Sequence, residues 1–225
     1  MINKVLVALA LLGLIILIMP IISNFQERTE LSELSKKYIE GSINDLKSPN
    51  VVTSVIVTYR GLDTLGEVTV LFLATVGVGF LLQKRKKGKS KKDAPENLKT
   101  TSSFLAAMIM ILGIYIFTHG HLSPGGGFQG GVIIASGFLL LLLSDINMKI
   151  NHSILQAVES LSGVLYVGLG VIGLILTIGF LNSNILPLGE FGQLFSAGAI
   201  PLIYSLIGLK VGSELTNIIE TMGGE

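Results

Sequence analysis

Two carboxylates lie four residues apart near the start of an apolar stretch, in the segment Arg60-Gly-Leu-Asp-Thr-Leu-Gly-Glu67. Residues at this spacing share one face of a helix, so Asp63 and Glu67 can together hold a hydrated cation or pass a proton. The guanidinium of Arg60 is near enough in sequence to shift their pKa values. A plainer interpretation is also open. Thr64 and Glu67 fit the T-x-x-E capping box, in which the Glu67 side chain only accepts a hydrogen bond from the Thr64 backbone N–H.

Three further acidic residues fall near the ends of apolar stretches. Glu159 lies one turn into the fifth stretch, and it is either a proton-relay group or an ordinary carboxylate at a helix N-terminus. An ionised side chain at the centre of a bilayer costs about 2.5–3.5 kcal/mol on insertion scales, which makes the first interpretation a functional hypothesis. We expect Glu190 and Glu214 to lie at the membrane interface.

A glycine-rich segment, His119–Gly131, reads HGHLSPGGGFQGG and separates two long apolar runs. We call it the glycine hinge. Glycine lets backbones approach one another without side-chain hindrance, so the segment predicts a packing or permeation feature of a membrane protein. It lacks the Gly-Lys-Ser/Thr ending of a phosphate-binding loop. The residues expected to act in packing are Pro124, Gly125, Gly126, Gly127, Phe128, Gly130 and Gly131.

Histidine supplies the other candidate chemistry of the hinge. His121 is predicted to handle protons, because an imidazole titrates near physiological pH. His119 and His121 could share a metal on an extended stretch, but no third ligand is near them in sequence, and His152 is expected on the opposite membrane face. We therefore predict no metal site, no cofactor and no catalytic constellation.

Composition predicts an all-α polytopic membrane protein. Half of the 225 residues are hydrophobic, 14% are charged, and the mean hydropathy is +0.72. A hydrocarbon core of about 30 Å needs about 20 apolar residues per spanning helix. Pro201 would lie in the middle of the last stretch and kink it. Six stretches come close to this length: 5–22, 65–82, 104–118, 130–143, 158–181 and 194–211.

The basic residues predict the orientation of the chain. Seven cations fall within residues 84–92, and residues 84–100 have the composition of a flexible linker. The positive-inside rule makes this linker cytoplasmic, which places eleven of the sixteen Lys and Arg residues inside and both termini in the cytoplasm. A basic run beside a membrane span is usually such a topology signal, so no nucleic-acid partner is predicted.

Residues 24–62 are expected to form a segment on the outer surface. Apolar residues recur at spacings of three and four within 25–40, which predicts a short amphipathic helix. Residues Val51–Tyr59 are too few to span a membrane, and they are either a strand or a re-entrant or interfacial helix. Gly61 is expected to separate this piece from the second span.

The motifs resemble those of a known family. Residues 101–215 resemble the MnhB-type (MrpB) domain of multisubunit Na+/H+ antiporters, through GHLSPGGGFQGG, LPLGEFGQLFSAGAIPL and the GLKVG that closes the last span. Residues 49–83 are similar to the C-terminal end of the large MrpA protein and to a small subunit of membrane-bound hydrogenases. The resemblance implies a two-span segment at 1–83, the linker at 84–100, a four-span domain at 101–215 and a tail at 216–225.

What the resemblance implies about function is specific. It predicts a non-catalytic subunit of the cell membrane that helps to form the Na+ and H+ pathway among other Mrp-type subunits, large and small, and membrane lipids. The alternative is a scaffold in the same module of a membrane-bound hydrogenase or ferredoxin-linked complex. The family favours Glu67 as an ion-path residue over the capping interpretation, and it singles out Pro124 and Phe128 in the hinge.

Overall fold

Most of the residues that the structure describes are helical. This computed structural model describes residues 2–23, 30–82, 94–145, 148, 150–177 and 179–223, and contains no β-strand within them. Most of the basic linker, 84–93, and the end of the tail, 224–225, lie outside the described residues. The helices are α1 (Ile2–Ser23), α2 (Glu33–Asn44), α3 (Val51–Ser54), α4 (Gly61–Leu82), α5 (Glu96–Thr118), α6 (Gly127–Ser144), α7 (His152–Thr177) and α8 (Ile200–Gly223).

Six of these helices are long and apolar enough to cross a membrane, which confirms the predicted fold class and number of spans. They are α1 and α4 to α8. The third span is longer than expected because α5 begins at Glu96, inside the segment predicted to be linker, and its added turns carry polar residues that hydropathy alone does not assign to a span.

Two compact units make up the chain, residues 1–36 and 37–225. In the first unit, α1 is apolar around its whole circumference and carries a single charged residue, Lys4. An all-round apolar helix of 22 residues is typical of a membrane span.

In the second unit, α8 is the central helix. It contacts α4, α5, α6 and α7, and more of it is buried than of any other candidate span. Its buried side chains form half of the apolar core cluster: Ile200, Ile203, Tyr204, Leu206, Ile207 and Val211.

Glycines set the close approach of the helices around α8. A Cβ atom on Gly130 of α6 would lie 2.6 Å from the carbonyl oxygen of Gly113 in α5. One on Gly131 would lie 2.8 Å from the carbonyl oxygen of Gly208 in α8. Backbone atoms of α6 therefore touch those of both neighbours, which is the packing that small residues permit between membrane helices.

The last span begins later than the sequence predicts. Residues 179–199 contain only one short 3-10 turn, Ser183–Ile185, and the backbone is left-handed at Gly198 (φ +59°), where a Cβ atom would clash with the Ser183 carbonyl oxygen. Ala199 donates its N–H to that carbonyl at 3.0 Å, immediately before α8 starts. Pro201 is thus the second residue of the helix, where its missing N–H has no helical partner to lose, and the expected mid-span kink is wrong.

The predicted outer segment contains α2 and α3. The amphipathic helix exists, although Leu31 and Leu34 are exposed and its buried residues are Gly41 and Ser42. The segment 51–59 is helical, with one α-helical turn followed by a π-helical turn. Of the two alternatives predicted for this segment, the helix is therefore correct and the strand is wrong. Arg60 leaves the helical conformation, and α4 starts at Gly61 as expected.

Candidate functional site

The glycine hinge is fastened to the segment that contains α3. The Asn50 side-chain amide donates to the carbonyl oxygens of Gly120 at 2.8 Å and Ser123 at 2.9 Å, while its backbone N–H donates to the His121 carbonyl at 3.0 Å. Its side-chain oxygen caps α3 by accepting from the Thr53 N–H at 3.3 Å. One asparagine therefore satisfies hinge carbonyls that lie beyond the end of α5. We call this end of the bundle the hinge side and the opposite end the far side.

The hinge residues chosen from sequence are in different environments. Pro124 is exposed, Phe128 packs against the apolar core, and Gly126 adopts φ +153° with ψ −176°, a conformation that L side chains rarely adopt. Gly127 packs so closely on α8 that a Cβ atom would lie 2.6 Å from Ile207. Gly130 and Gly131 lie at the interhelical contacts described above, and a Cβ atom on Gly125 would lie 3.1 Å from Ile116 Cγ2 of α5.

His121, within the hinge, is fully buried, and its Nε2 lies 3.3 Å from the Gln193 carbonyl oxygen. Burial lowers its pKa, although the hydrogen bond to Gln193 acts in the opposite direction. Its Nδ1 has no hydrogen-bond partner among the described residues. His121 is therefore neutral near pH 7 and lies next to the carbonyls that Asn50 holds.

Asp63 and Glu67 have different surroundings in this chain. Asp63 forms an exposed ion pair with Arg60, whereas Glu67 has no such partner among the described residues. The capping-box interpretation is wrong, because α4 starts at Gly61 and Thr64 is already inside it. The Thr64 hydroxyl donates instead to the Ile56 carbonyl at 2.6 Å, which links α4 to the π-helical turn.

Glu67 lies about 9 Å along α4 from its hinge-side end, within a spanning helix. Its side chain is exposed in this chain, and its charge acts on the phenol groups of Tyr166 in α7 and Tyr204 in α8. The carboxylate thus belongs to a polar patch formed by three different helices.

Both tyrosines of this patch are almost completely buried. The Tyr204 hydroxyl donates to Thr53 Oγ1 at 3.2 Å, and the Thr53 hydroxyl donates to the Gly120 carbonyl at 2.6 Å. The Tyr166 hydroxyl has no partner among the described residues. Hydrogen bonds therefore link Tyr204, on whose phenol the Glu67 charge acts, through Thr53 to the hinge.

A second charged cluster lies deeper in the bundle. Lys210 Nζ lies 2.6 Å from Glu214 Oε1, one turn apart in α8, and Glu159 of α7 interacts electrostatically with both. Glu214 is fully buried, so its expected interfacial position is wrong. Sequence reasoning missed the pair, because the two charges lower the hydropathy of a helix that continues past them. Their spacing of four residues was the available signal.

At the far side, an ion pair and a histidine–carboxylate contact join neighbouring helices. Lys99 of α5 lies 3.5 Å from Asp145, the residue that ends α6, and His152 of α7 lies 3.2 Å from Glu220 of α8. No group of three or more potential metal ligands occurs in the described part of the chain. The ionisable residues are therefore distributed along the bundle instead of converging on one centre.

Two family models match adjacent parts of the chain. A domain related to the MnhB subunit of Na+/H+ antiporters matches residues 97–217, which is more than half of the chain. The chain belongs to this MnhB-related family. Residues 3–99 match MbhE, a subunit of the membrane-bound hydrogenase MBH. The two matches confirm both resemblances found in the sequence.

Relatives and solved structures agree with the family assignment. An uncharacterized protein of Methanocaldococcus jannaschii is 31% identical over 201 residues, covering 75% of this chain and 74% of its own. A chain in the structure of the membrane-bound sulfane sulfur reductase, an archaeal respiratory membrane complex, is 39% identical over the full length of both chains, with a TM-score of 0.85. A chain of the Mrp complex from Dietzia sp. DQ12-45-1b shares the fold, with a TM-score of 0.78, 24% identity and coverage of 99% of this chain and 26% of that one.

The polar patch forms where the two matched regions of this MnhB-related protein meet. Glu67, Asn50 and Thr53 belong to the MbhE-related region, whereas the hinge, Tyr166 and Tyr204 belong to the MnhB-related region. A multi-pass membrane protein thus combines residues 37–99 of the MbhE-related region with the MnhB-related region in one compact unit. Two of the chains that share its fold come from structures of larger membrane complexes.

Proposed function

We propose that this chain is a non-catalytic membrane subunit of a multisubunit Na+/H+ antiporter module, and that it forms part of the ion pathway and of the assembly interface. The observation that carries the proposal is Glu67, a carboxylate inside a spanning helix, beside Tyr166 and Tyr204 at the junction of the two matched regions. The assignment of Na+ and H+ as the transported ions comes from the MnhB-related family.

The exposure of Glu67 supports an interface with a partner. A charged side chain facing hydrocarbon is costly, and such residues face a bundle interior or a water-filled passage. Glu67 is exposed in this chain and has apolar exposed neighbours on α4, such as Val70 and Leu73. We infer that another subunit covers this face of α4 and encloses the carboxylate together with water.

Asp63, His121 and Glu159 have different roles in this proposal. Asp63 stays at the hinge-side entrance with its partner Arg60. His121 is a buried neutral imidazole near that entrance, and the unpartnered Nδ1 can accept a proton from water that reaches it. Glu159 belongs to the deeper cluster with Lys210.

A redox-linked setting is the second candidate. The match to the sulfane sulfur reductase complex covers both chains completely at higher identity than the Mrp match, which supports the same module within a hydrogenase-like or ferredoxin-linked respiratory complex. The ion-path role of Glu67 is common to both settings. In either setting we expect the plasma membrane, with the basic linker and both termini on the cytoplasmic side.

Purification of the complex distinguishes the antiporter setting from the redox-linked setting. The tagged chain, extracted in mild detergent, should co-purify with large antiporter-like subunits and small membrane subunits identified by mass spectrometry. Additional iron–sulfur subunits would favour the redox-linked setting. A stable complex that contains only copies of this chain would contradict both.

Transport by inverted vesicles tests the site. We expect Glu67→Gln to abolish the Na+-dependent pH change while the subunit content of the complex is unchanged, because the glutamine has nearly the same shape but cannot titrate. Glu67→Asp should retain partial activity. Glu190→Gln changes an exposed loop carboxylate and is the matched control, which should behave as wild type. Full activity of Glu67→Gln would remove this residue from the pathway.

A further inference from the structure

The ion pair of Lys210 and Glu214 lies well inside the bundle. The two residues are about 15 Å and 21 Å along α8 from its hinge-side end, so they are below the level of Glu67. The Glu214 side chain is fully buried, and that of Lys210 is 13% exposed. Removing two charges from water is costly, and such a pair persists only where further contacts support it.

Two neighbouring helices supply those contacts to Lys210. The Phe72 ring of α4 faces Nζ, with its centroid 5.0 Å away. A Cβ atom on Gly163 of α7 would lie 3.5 Å from Lys210 Cδ, so the absence of a side chain there leaves room for the lysine. Glu159 is one turn before Gly163 on the same face of α7, which brings the second carboxylate to the lysine.

The charges of this cluster do not cancel. Glu159 and Glu214 are two carboxylates that both interact electrostatically with the single ammonium group of Lys210, and they repel each other. Oε2 of Glu214 has no hydrogen-bond partner among the described residues, although the side chain is completely withdrawn from the surface. Two carboxylates that share one cationic partner at low dielectric constant repel each other, which is the arrangement in which a pair of carboxyl groups shares a proton.

Other charged groups do not supply the missing positive charge. Within the described residues, α6 carries no ionisable side chain, and α5 carries Glu96 and Lys99 only at its far-side end. From α4, Glu67 adds a further negative charge nearer the hinge side. On α7 and α8 the remaining pair is His152 with Glu220, near the far-side end.

We propose that Glu159, Lys210 and Glu214 form a proton-binding site in which the two carboxylates share one proton and alternate as the partner of Lys210. Binding adds a proton to a carboxylate oxygen, and release returns it to water or to the next carrier. The site extends the proposed function, because it provides a proton-exchange step between the polar patch that contains Glu67 and the far side of the bundle. Its existence does not depend on which ions the complete complex transports.

Infrared difference spectroscopy tests the site in the purified complex, reconstituted in lipid nanodiscs. A pH change should produce a carboxylic acid C=O band that shifts in deuterated water. We expect Glu159→Gln and Glu214→Gln each to abolish this band, and Glu190→Gln to leave it unchanged. Lys210→Met should add a second band, since neither carboxylate then has a cationic partner.

Subunit content is measured for each variant. Glu159→Gln is the decisive variant, because Glu159 is only partly buried and its replacement preserves the Lys210–Glu214 pair. A band that persists in Glu159→Gln would overturn the proposal and assign the pair a structural role. A band that responds to Na+ at constant pH would also overturn it, in favour of a metal cation. If the band persists in Glu159→Gln but Glu67→Gln loses transport, the proton-binding site is overturned and the proposed function remains intact.

Discussion

Asn50 holds Gly120 through a 2.8 Å hydrogen bond from its side-chain amide, although seventy residues separate the two in sequence. The same amide reaches Ser123, so both of its protons are used on the hinge. Glycine-rich backbone beyond a helix end has carbonyl groups that need donors, and here a single side chain from the other matched region provides them. The hinge is therefore fixed from outside the two helices that it connects.

We expect Asn50→Ala to destabilise the complex. The part-buried Ser123 carbonyl loses its side-chain donor, at a cost of about 1–3 kcal/mol for an unsatisfied group. Asn50→Asp should be as harmful, because it keeps the acceptor that caps α3 but cannot donate. Thermal unfolding of the purified complex measures the effect. Asn184→Ala, at an exposed loop position, is the control. Equal stability of all variants would show that the clamp is dispensable.

Gly131→Ala should impair assembly. The added methyl group would lie 2.8 Å from the Gly208 carbonyl oxygen and 2.8 Å from Val211 Cβ, so α6 and α8 must separate. Overpacking of this kind typically lowers the free energy of unfolding by about 1–3 kcal/mol. Gly66→Ala introduces the same group into α4 with no atom within 4 Å, and helix propensity favours that change. The yield of intact complex compares the two. Similar yields would contradict close packing at Gly131.

Burial of His121 predicts a loss of stability in acid. Its pKa is lowered in the folded protein, so above its ordinary value of about 6.5 neither state binds the proton. As the pH falls below that value, the unfolded imidazole takes up a proton that the buried one resists, and the folded state loses stability. His121→Gln should therefore show a smaller decrease in thermal midpoint between about pH 7.5 and pH 5.5 than wild type. An unchanged pH dependence in His121→Gln, with His119→Gln as control, would contradict this assignment.

The orientation of the chain is testable with single cysteines, because the natural sequence contains none. Ser90→Cys in the basic linker and Asn184→Cys in the loop between α7 and α8 should react with an impermeant maleimide from opposite sides of the membrane. We expect the linker site to be accessible in inverted vesicles only. Reaction of both sites from one side would refute the six-span topology.

Sequence patterns predicted the number of spans correctly, because hydrophobic length is a local property. They misjudged the last span, since Lys210 and Glu214 interrupt the apolar run while neutralising each other inside the helix. The contact of Asn50 with Gly120 was not predictable in this way, because it depends on how α3 packs against the hinge. Glu67 was found from its position in an apolar stretch, but its tyrosine neighbours come from two other helices.

Tyr166→Phe separates a role in ion transfer from a role in packing. The change removes only a hydroxyl group that has no partner among the described residues, so packing is preserved and thermal stability should stay the same or rise slightly. If the hydroxyl and the Glu67 carboxylate together carry the ion, the Na+-dependent pH change in inverted vesicles should slow several-fold while the complex remains assembled. Tyr115→Phe, on the exposed face of α5, is the control and should transport at the wild-type rate. A wild-type rate in Tyr166→Phe would exclude this hydroxyl from the pathway, whereas a large loss of stability would mean that it has a structural partner in the assembled complex.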